Sequence, residues 1–213
     1  MVVADAAVSR ARAGLLVALA LLVGACSAAR PSRPEDLCSI LRERSEWYEA
    51  LRASEHRWGV PVPQQLAVIH QESGFDASAR PPRSSILWIF PGPRLSSAYG
   101  YGQVLDSTWD WYQDSRGGGL ASRDDLEDVA DFLGWSGGVG EQRFGIPRDD
   151  PRAYYAAYHE GHRGYLRGSH RRKPGVLRAA SSVEHRTRLY AAQYARCRRE
   201  LEEALEGPWW WPF

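Results

Sequence analysis

Val68-Ile69-His70-Gln71-Glu72-Ser73-Gly74-Phe75 is the stretch on which the fold and function of this chain turn. Leu66 and Ile69 form the apolar end of a short helix that begins near Pro63, and Gly74 stands where helices stop in the left-handed conformation. Glu72 therefore falls in the last turn, beside the partial negative charge of the helix C-terminus. A carboxylate is disfavoured there, and burial against apolar or aromatic groups would raise its pKa further. A glutamic acid of raised pKa can act as a general acid near neutral pH. A surface glutamate at a helix end has the same local sequence, so the rest of the chain must decide between the two.

Working outward, the pattern is helical. Leu37, Ile40, Trp47, Leu51 and Trp58 recur at three- and four-residue spacing and predict one long amphipathic helix, broken by Gly59-Val60-Pro61-Val62-Pro63. From Asp76 to Ser97 no period is visible, and Pro81, Pro82, Pro91 and Pro93 predict a long irregular loop, a feature that is usually functional in a compact domain. Asp106-Ser107-Thr108 can cap a helix through Trp109 and Trp111. Ser122 with Asp125 resembles a capping box opening a helix through Leu126, Val129 and Leu133. Asp150-Pro151 starts a helix that ends at Gly161. A last helix is expected from about Val183 to Leu205, with Tyr190, Tyr194, Cys197, Leu201 and Leu205 on one face. No strand alternation or repeat is evident, so the expected class is mostly α.

The chain has 213 residues and a net charge of +1, enough for one sizeable core and without the charge excess that nucleic-acid binding asks for. Nine Trp and ten Tyr are core material first, but they also line sugar-binding clefts.

The N-terminus reads as an address. Arg10 and Arg12 precede an apolar run from Ala13 to Val23, followed by Gly24-Ala25-Cys26. The run is too short to span a bilayer, and the arrangement is that of a secretory signal. Val23-Gly24-Ala25-Cys26 resembles the lipobox of bacterial lipoproteins, in which the cysteine is lipidated. Ser27 after it implies sorting to the outer membrane, with the domain facing the periplasm. The expected organisation is a signal peptide over 1–25, a loose tether over 26–35, a domain over 36–206 and an aromatic tail over 207–213. Once the signal is removed and Cys26 lipidated, Cys38 and Cys197 are the remaining cysteines; an oxidising compartment makes a disulfide between them the favoured state.

Three local matches fail on context. Gly134-Trp135-Ser136-Gly137-Gly138 has the spacing of a nucleophile elbow, but a helical pattern precedes it and a Gly-rich loop is expected after it, where the elbow needs a strand and then a helix. His70-Gln71-Glu72 lacks the second half of a zinc deaminase signature. His159-Glu160-Gly161-His162 lacks the spacing that puts two histidines on one helix face. No metal site and no cofactor are expected.

Two further stretches change the standing of Glu72. They are Ser96-Ser97-Ala98-Tyr99-Gly100-Tyr101-Gly102-Gln103-Val104 and Ala156-Ala157-Tyr158-His159-Glu160-Gly161-His162-Arg163-Gly164-Tyr165. With Glu72-Ser73-Gly74-Phe75 they follow the order and spacing of the lytic transglycosylases of the soluble (SLT) type, a lysozyme-like family that cleaves peptidoglycan. The resemblance covers roughly residues 37–199 and is nearest a lipoprotein branch with Tyr-His-Glu-Gly in place of Tyr-Asn-Ala-Gly. It implies a single goose-type lysozyme-like helical domain with Glu72 as the catalytic acid. Ser73, Tyr99, Gly100, Tyr101, Gln103, Tyr158 and His159 would be substrate-binding. Tyr101-Gly102 departs from the common Leu-Met, implying a more polar sugar-site wall, and Glu160 adds a second carboxylate. The chemistry implied is cleavage of the MurNAc-GlcNAc β-1,4 bond with capture by the substrate's own C6 hydroxyl, so that one glutamate can serve as acid and then as base. The alternatives are a hydrolytic muramidase using Asp76 or Glu160 as second carboxylate, and a non-catalytic peptidoglycan-binding lipoprotein. The expected partners are glycan strands and, through the anchor, a membrane.

Overall fold

The computed structural model describes residues 30–86, 90–116 and 119–206. The expected signal peptide, Cys26 and the aromatic segment 207–213 lie outside the described residues. Within them the protein is mostly α: eight helices and one antiparallel hairpin. No described helix is long and apolar enough to cross a membrane.

Helices α1 (Leu37–Glu43) and α2 (Ser45–Trp58) replace the single long helix expected there. Asp36 caps α1 by accepting from the Ser39 amide at 3.1 Å, and the break falls at Arg44, whose φ of -133° and ψ of 72° leave the helical region. The physical reason lies in the partners. α1 packs on the C-terminal helix α8 (Pro174–Glu206), whereas α2 packs along α5 (Leu126–Phe144). Cys38 of α1 is disulfide-bonded to Cys197 of α8, with Cα atoms 6.0 Å apart.

Helix α3 (Val62–Ser73) sits inside this frame against α8, with Leu66, Ala67, Val68 and Ile69 fully buried. Burial of a side chain such as Leu66 or Ile69 contributes roughly 1.5–3 kcal/mol. The helix ends as expected: Gly74 is left-handed at φ 58°, and its amide donates to His70 O at 3.0 Å.

α5 corrects the expectation of a Gly-rich loop after Trp135, because the helix runs unbroken through Gly134-Trp135-Ser136-Gly137-Gly138. The glycines are there for packing. A Cβ on Gly134 would lie 2.4 Å from Ser54 Oγ and 2.5 Å from Trp58 Cδ1, so only glycine lets α2 come this close. Ser54 Oγ uses that approach to donate to Ala130 O at 2.6 Å. The N-cap of α5 is Asp125, which accepts from the amides of Glu127 and Asp128; Ser122 is not the cap. α4 (Asp106–Ser115), by contrast, is capped by no side chain, its N-cap being Leu105 and not a residue of Asp106-Ser107-Thr108.

The segment after α3 is not wholly irregular. β1 (Arg83–Ile86) pairs with β2 (Phe90–Arg94) in a hairpin with Arg83 opposite Arg94 and Ile86 opposite Phe90. A two-stranded hairpin has only edges, so Pro91 and Pro93 are tolerated without alternation. α8 begins nine residues earlier than expected, at Pro174. Tyr190, Tyr194, Cys197 and Leu201 do share its buried face, while Leu205 is exposed at the end.

The loose tether expected up to Pro34 is docked from Arg30 onward. Arg30 pairs with Asp76 at 2.6 Å, the Ser32 hydroxyl donates to Glu43 at 2.8 Å, and Pro34 O accepts from the Tyr190 hydroxyl. Glu35 pairs with Arg186.

Candidate active site

One cleft of about 530 Å3 is lined by the end of α3, the turn before α4, α4 itself, the middle of α5, and α6 (Pro151–Glu160) with the start of α7 (His162–Leu166). Glu72 reaches it from the last turn of α3. Its Oε1 is buried and has no hydrogen-bond partner among the described residues. Burial pushes the carboxyl up to about 7, opposed by a hydrogen bond from the Tyr155 hydroxyl. A carboxyl divided between its two protonation states near neutrality, with one oxygen uncommitted, is chemically equipped to give a proton and take one back.

α6 supplies the opposite wall. Asp150 caps it by accepting from the amides of Arg152 and Ala153, and Pro151 starts it. Tyr154, Tyr155 and Tyr158 follow on one side. The Tyr158 ring lies near-parallel to those of Tyr154 and Tyr155, with centroids 6.2 and 6.4 Å away, and edge-on to Phe132. Its hydroxyl donates to Gly102 O at 2.6 Å. Burial, with the nearby Glu72 charge, pushes the Tyr158 phenol well above its ordinary value, so it stays protonated.

The Tyr99–Val104 turn is positioned by its backbone. Gly100 has φ 76°, and a Cβ there would fall 1.8 Å from Arg123 O; its amide donates to Ala79 O. Gly100 thus approaches the protein's own chain and does not line the cleft. Gln103 does line it. Its Nε2 is committed to Ala79 O at 2.9 Å and Gly100 O at 3.0 Å, which leaves the side-chain carbonyl to face a ligand. Tyr101, expected in the wall, is 1% exposed and packs edge-on against Trp47 at 5.6 Å. The left-handed turn at Gly100 and the bridge from Tyr99 to Val104 swing it inward. The more polar wall expected from it is therefore absent. Tyr99 is outside the cleft lining too, its hydroxyl donating to Asp124 at 2.7 Å under the Arg80 guanidinium. Ser73 turns back onto its own helix, donating to Ile69 O at 3.1 Å.

His159 lines the cleft, its Nδ1 3.2 Å from Glu160 Oε1. Burial would raise Glu160, but the Ser169 hydroxyl, Lys173 and His159 hold it down to about 2. Lys173 Nζ lies 2.9 and 3.0 Å from its two oxygens. Asp76 is held below the usual carboxylate range by Arg30 and Ser78 and does not line the cleft.

Several lining residues were not among those expected in the site. Trp111 and Trp135 meet edge-on at 4.7 Å, and Trp111 is 40% exposed. His162 stacks on Phe144 at 5.1 Å, with Nε2 3.1 Å from Ser136 O, and burial lowers its pKa. The heavy Trp and Tyr content was the one available signal for this aromatic wall.

A family model described as the transglycosylase SLT domain matches residues 14–197. The chain belongs to that family. No curated protein and no solved structure is a significant match to it. SLT domains are peptidoglycan lytic transglycosylases acting in the cell envelope, and the order of motifs in this SLT domain, from Glu72 through Gln103 to Tyr158, maps onto the walls of one cleft.

Proposed function

We propose that this SLT protein cleaves the MurNAc-GlcNAc β-1,4 bond of peptidoglycan without water, leaving 1,6-anhydro-MurNAc ends, in cell-wall remodelling or turnover. The observation that carries the proposal is the contrast between the two carboxyl groups of the cleft. Glu72 is buried with an uncommitted oxygen and titrates near 7, whereas Glu160 is an ion-paired carboxylate held near 2.

Protonated Glu72 gives its proton to the glycosidic oxygen as the C1–O bond breaks. The oxocarbenium-like centre is then attacked by the C6 hydroxyl, whose proton returns to Glu72 as the anhydro ring closes. Hydrolysis would need a second carboxylate to activate water. Glu160 has its oxygens engaged by Lys173, Ser169 and His159, and Asp76 lies outside the lining. Phe132, Trp111, Trp135 and Tyr158 supply the apolar faces that keep the acid dry and against which sugar rings pack. Gln103, Tyr158 and His159 are the polar contacts for substrate.

The Cys26 lipobox supports attachment to the outer membrane with the domain in the periplasm. Mass spectrometry of muropeptides released from purified sacculi tests the chemistry. Products one water lighter than reducing ends are expected from the wild type and none from Glu72→Gln; reducing ends would overturn the proposal.

A further inference from the structure

From Gly161 to Val183 the chain carries no Asp or Glu, yet it holds Arg163, Arg167, Arg171, Arg172, Lys173 and Arg178. This is a local concentration of charge in a protein whose total is only +1. Arginines elsewhere in the fold are commonly neutralised, as in Arg42 with Glu200, Arg116 with Asp131, Arg148 with Glu141 and Arg186 with Glu35. The arginines of this stretch are exposed, and their guanidinium groups have no ion-pair or hydrogen-bond partner among the described residues.

The stretch is continuous with the cleft. Gly161 and His162 line it, Arg163 follows directly on α7, and the 3-10 turn Ser169–Arg172 is tied back to the cleft carboxylate by Ser169 and Lys173. Lys173 is thereby paired with Glu160, leaving the arginines as the charges available to a ligand. Guanidinium groups recognise carboxylates by paired N–H donors, and unneutralised charge at a cleft rim acts within a Debye length of about 10 Å.

We infer that this arginine rim binds the free carboxylates of the peptide stems carried by the glycan strand, making the protein selective for peptide-bearing over peptide-stripped peptidoglycan. The inference rests on the proposed substrate class and specifies it. Gly161 and His162 line the cleft where α7 begins, so the inference puts the stems on that side while the sugars meet Glu72.

Binding is measured by fluorescence titration of Glu72→Gln protein, which removes turnover, with uncross-linked peptidoglycan strands carrying their stems, with the same strands stripped by an amidase, and with anionic phospholipid vesicles. Replacing Arg163, Arg167, Arg171 and Arg172 together with Gln should weaken binding to stem-bearing strands about tenfold and leave binding to stripped strands unchanged, the loss shrinking at high salt. The four-Lys counterpart, which keeps the charge but not the paired donors, should recover only part of the binding. Equal binding of both substrates by the parent, equal loss on both, or a loss confined to anionic phospholipid vesicles would overturn the inference. Arginine-dependent binding with no anhydro product from the wild type would sink the cleavage mechanism and leave this inference standing. Anhydro products with indifference to stems would do the reverse.

Discussion

The Tyr158 hydroxyl donates to the Gly102 carbonyl oxygen at 2.6 Å, and this one bond joins α6 to the turn that carries Gln103. Both sides of the cleft are set by it, because the Tyr158 ring and the Gln103 side chain face the same cavity.

Tyr158→Phe keeps the aromatic face and removes that bond. The buried Gly102 carbonyl loses its partner, which should cost about 1–3 kcal/mol of stability in thermal or denaturant unfolding. If the tie also positions substrate, kcat should fall at least about tenfold, while circular dichroism at assay temperature stays that of the wild type.

Glu72 carries a stability signature beside its proposed role as the acid. Its folded-state pKa of about 7 lies above the ordinary value of 4.5. The native state therefore holds this proton more tightly than the unfolded chain. The stabilising contribution is fully present below pH 4.5 and is lost as pH rises to about 7. Glu72→Gln should thus match the wild type in stability at pH 4 and exceed it by up to about 3 kcal/mol above neutrality. Unfolding curves across that range check the sign. Turnover by the wild type should fall as pH rises past about 7, where the acid form is depleted.

Gly100 and Tyr101 separate scaffold from substrate contact. Gly100→Ala forces a Cβ to within 1.8 Å of Arg123 O at a positive φ, and a loss of about 3 kcal/mol or more is expected. Tyr101→Phe should leave muropeptide release and KM unchanged, since the ring packs on Trp47 in the core. A KM shift with unaltered stability would restore the tyrosine to the substrate site.

Cys38 and Cys197 are 159 residues apart in sequence, so their bond constrains nearly the whole unfolded domain. Replacing both with Ala should lower stability by up to about 5 kcal/mol, and reductant should lower the wild-type melting temperature while leaving the double variant unmoved.

The helical class and the place of Glu72 are legible in the sequence because each rests on local rules. A helix stop at Gly74 fixes the acid in the last turn, and period-3.6 apolar positions predict the buried faces of α2 and α8. The break at Arg44 is not legible, since it arises from the separate packing of α1 on α8 and α2 on α5. Tyr99, Gly100 and Tyr101 lie in the right motif, yet the left-handed turn at Gly100 points Tyr101 into the core and leaves Tyr99 outside the cleft. Trp111, Trp135 and His162 reach the cleft from three helices, and no single stretch of chain announces such a convergence. The glycines of α5 read as loop formers until Ser54 and Trp58 are seen pressed against them.

Arg30 pairs with Asp76 just beyond the end of α3, and a lipid on Cys26, as proposed, would make the chain up to that pair a short leash. With Cys26 as the proposed lipid-bearing residue, only three residues would separate the anchor from Arg30, four Cα-to-Cα steps with a reach of about 14 Å at full extension. The catalytic domain would then ride on the membrane surface itself, and its working radius would cover only the layer of wall lying against that surface.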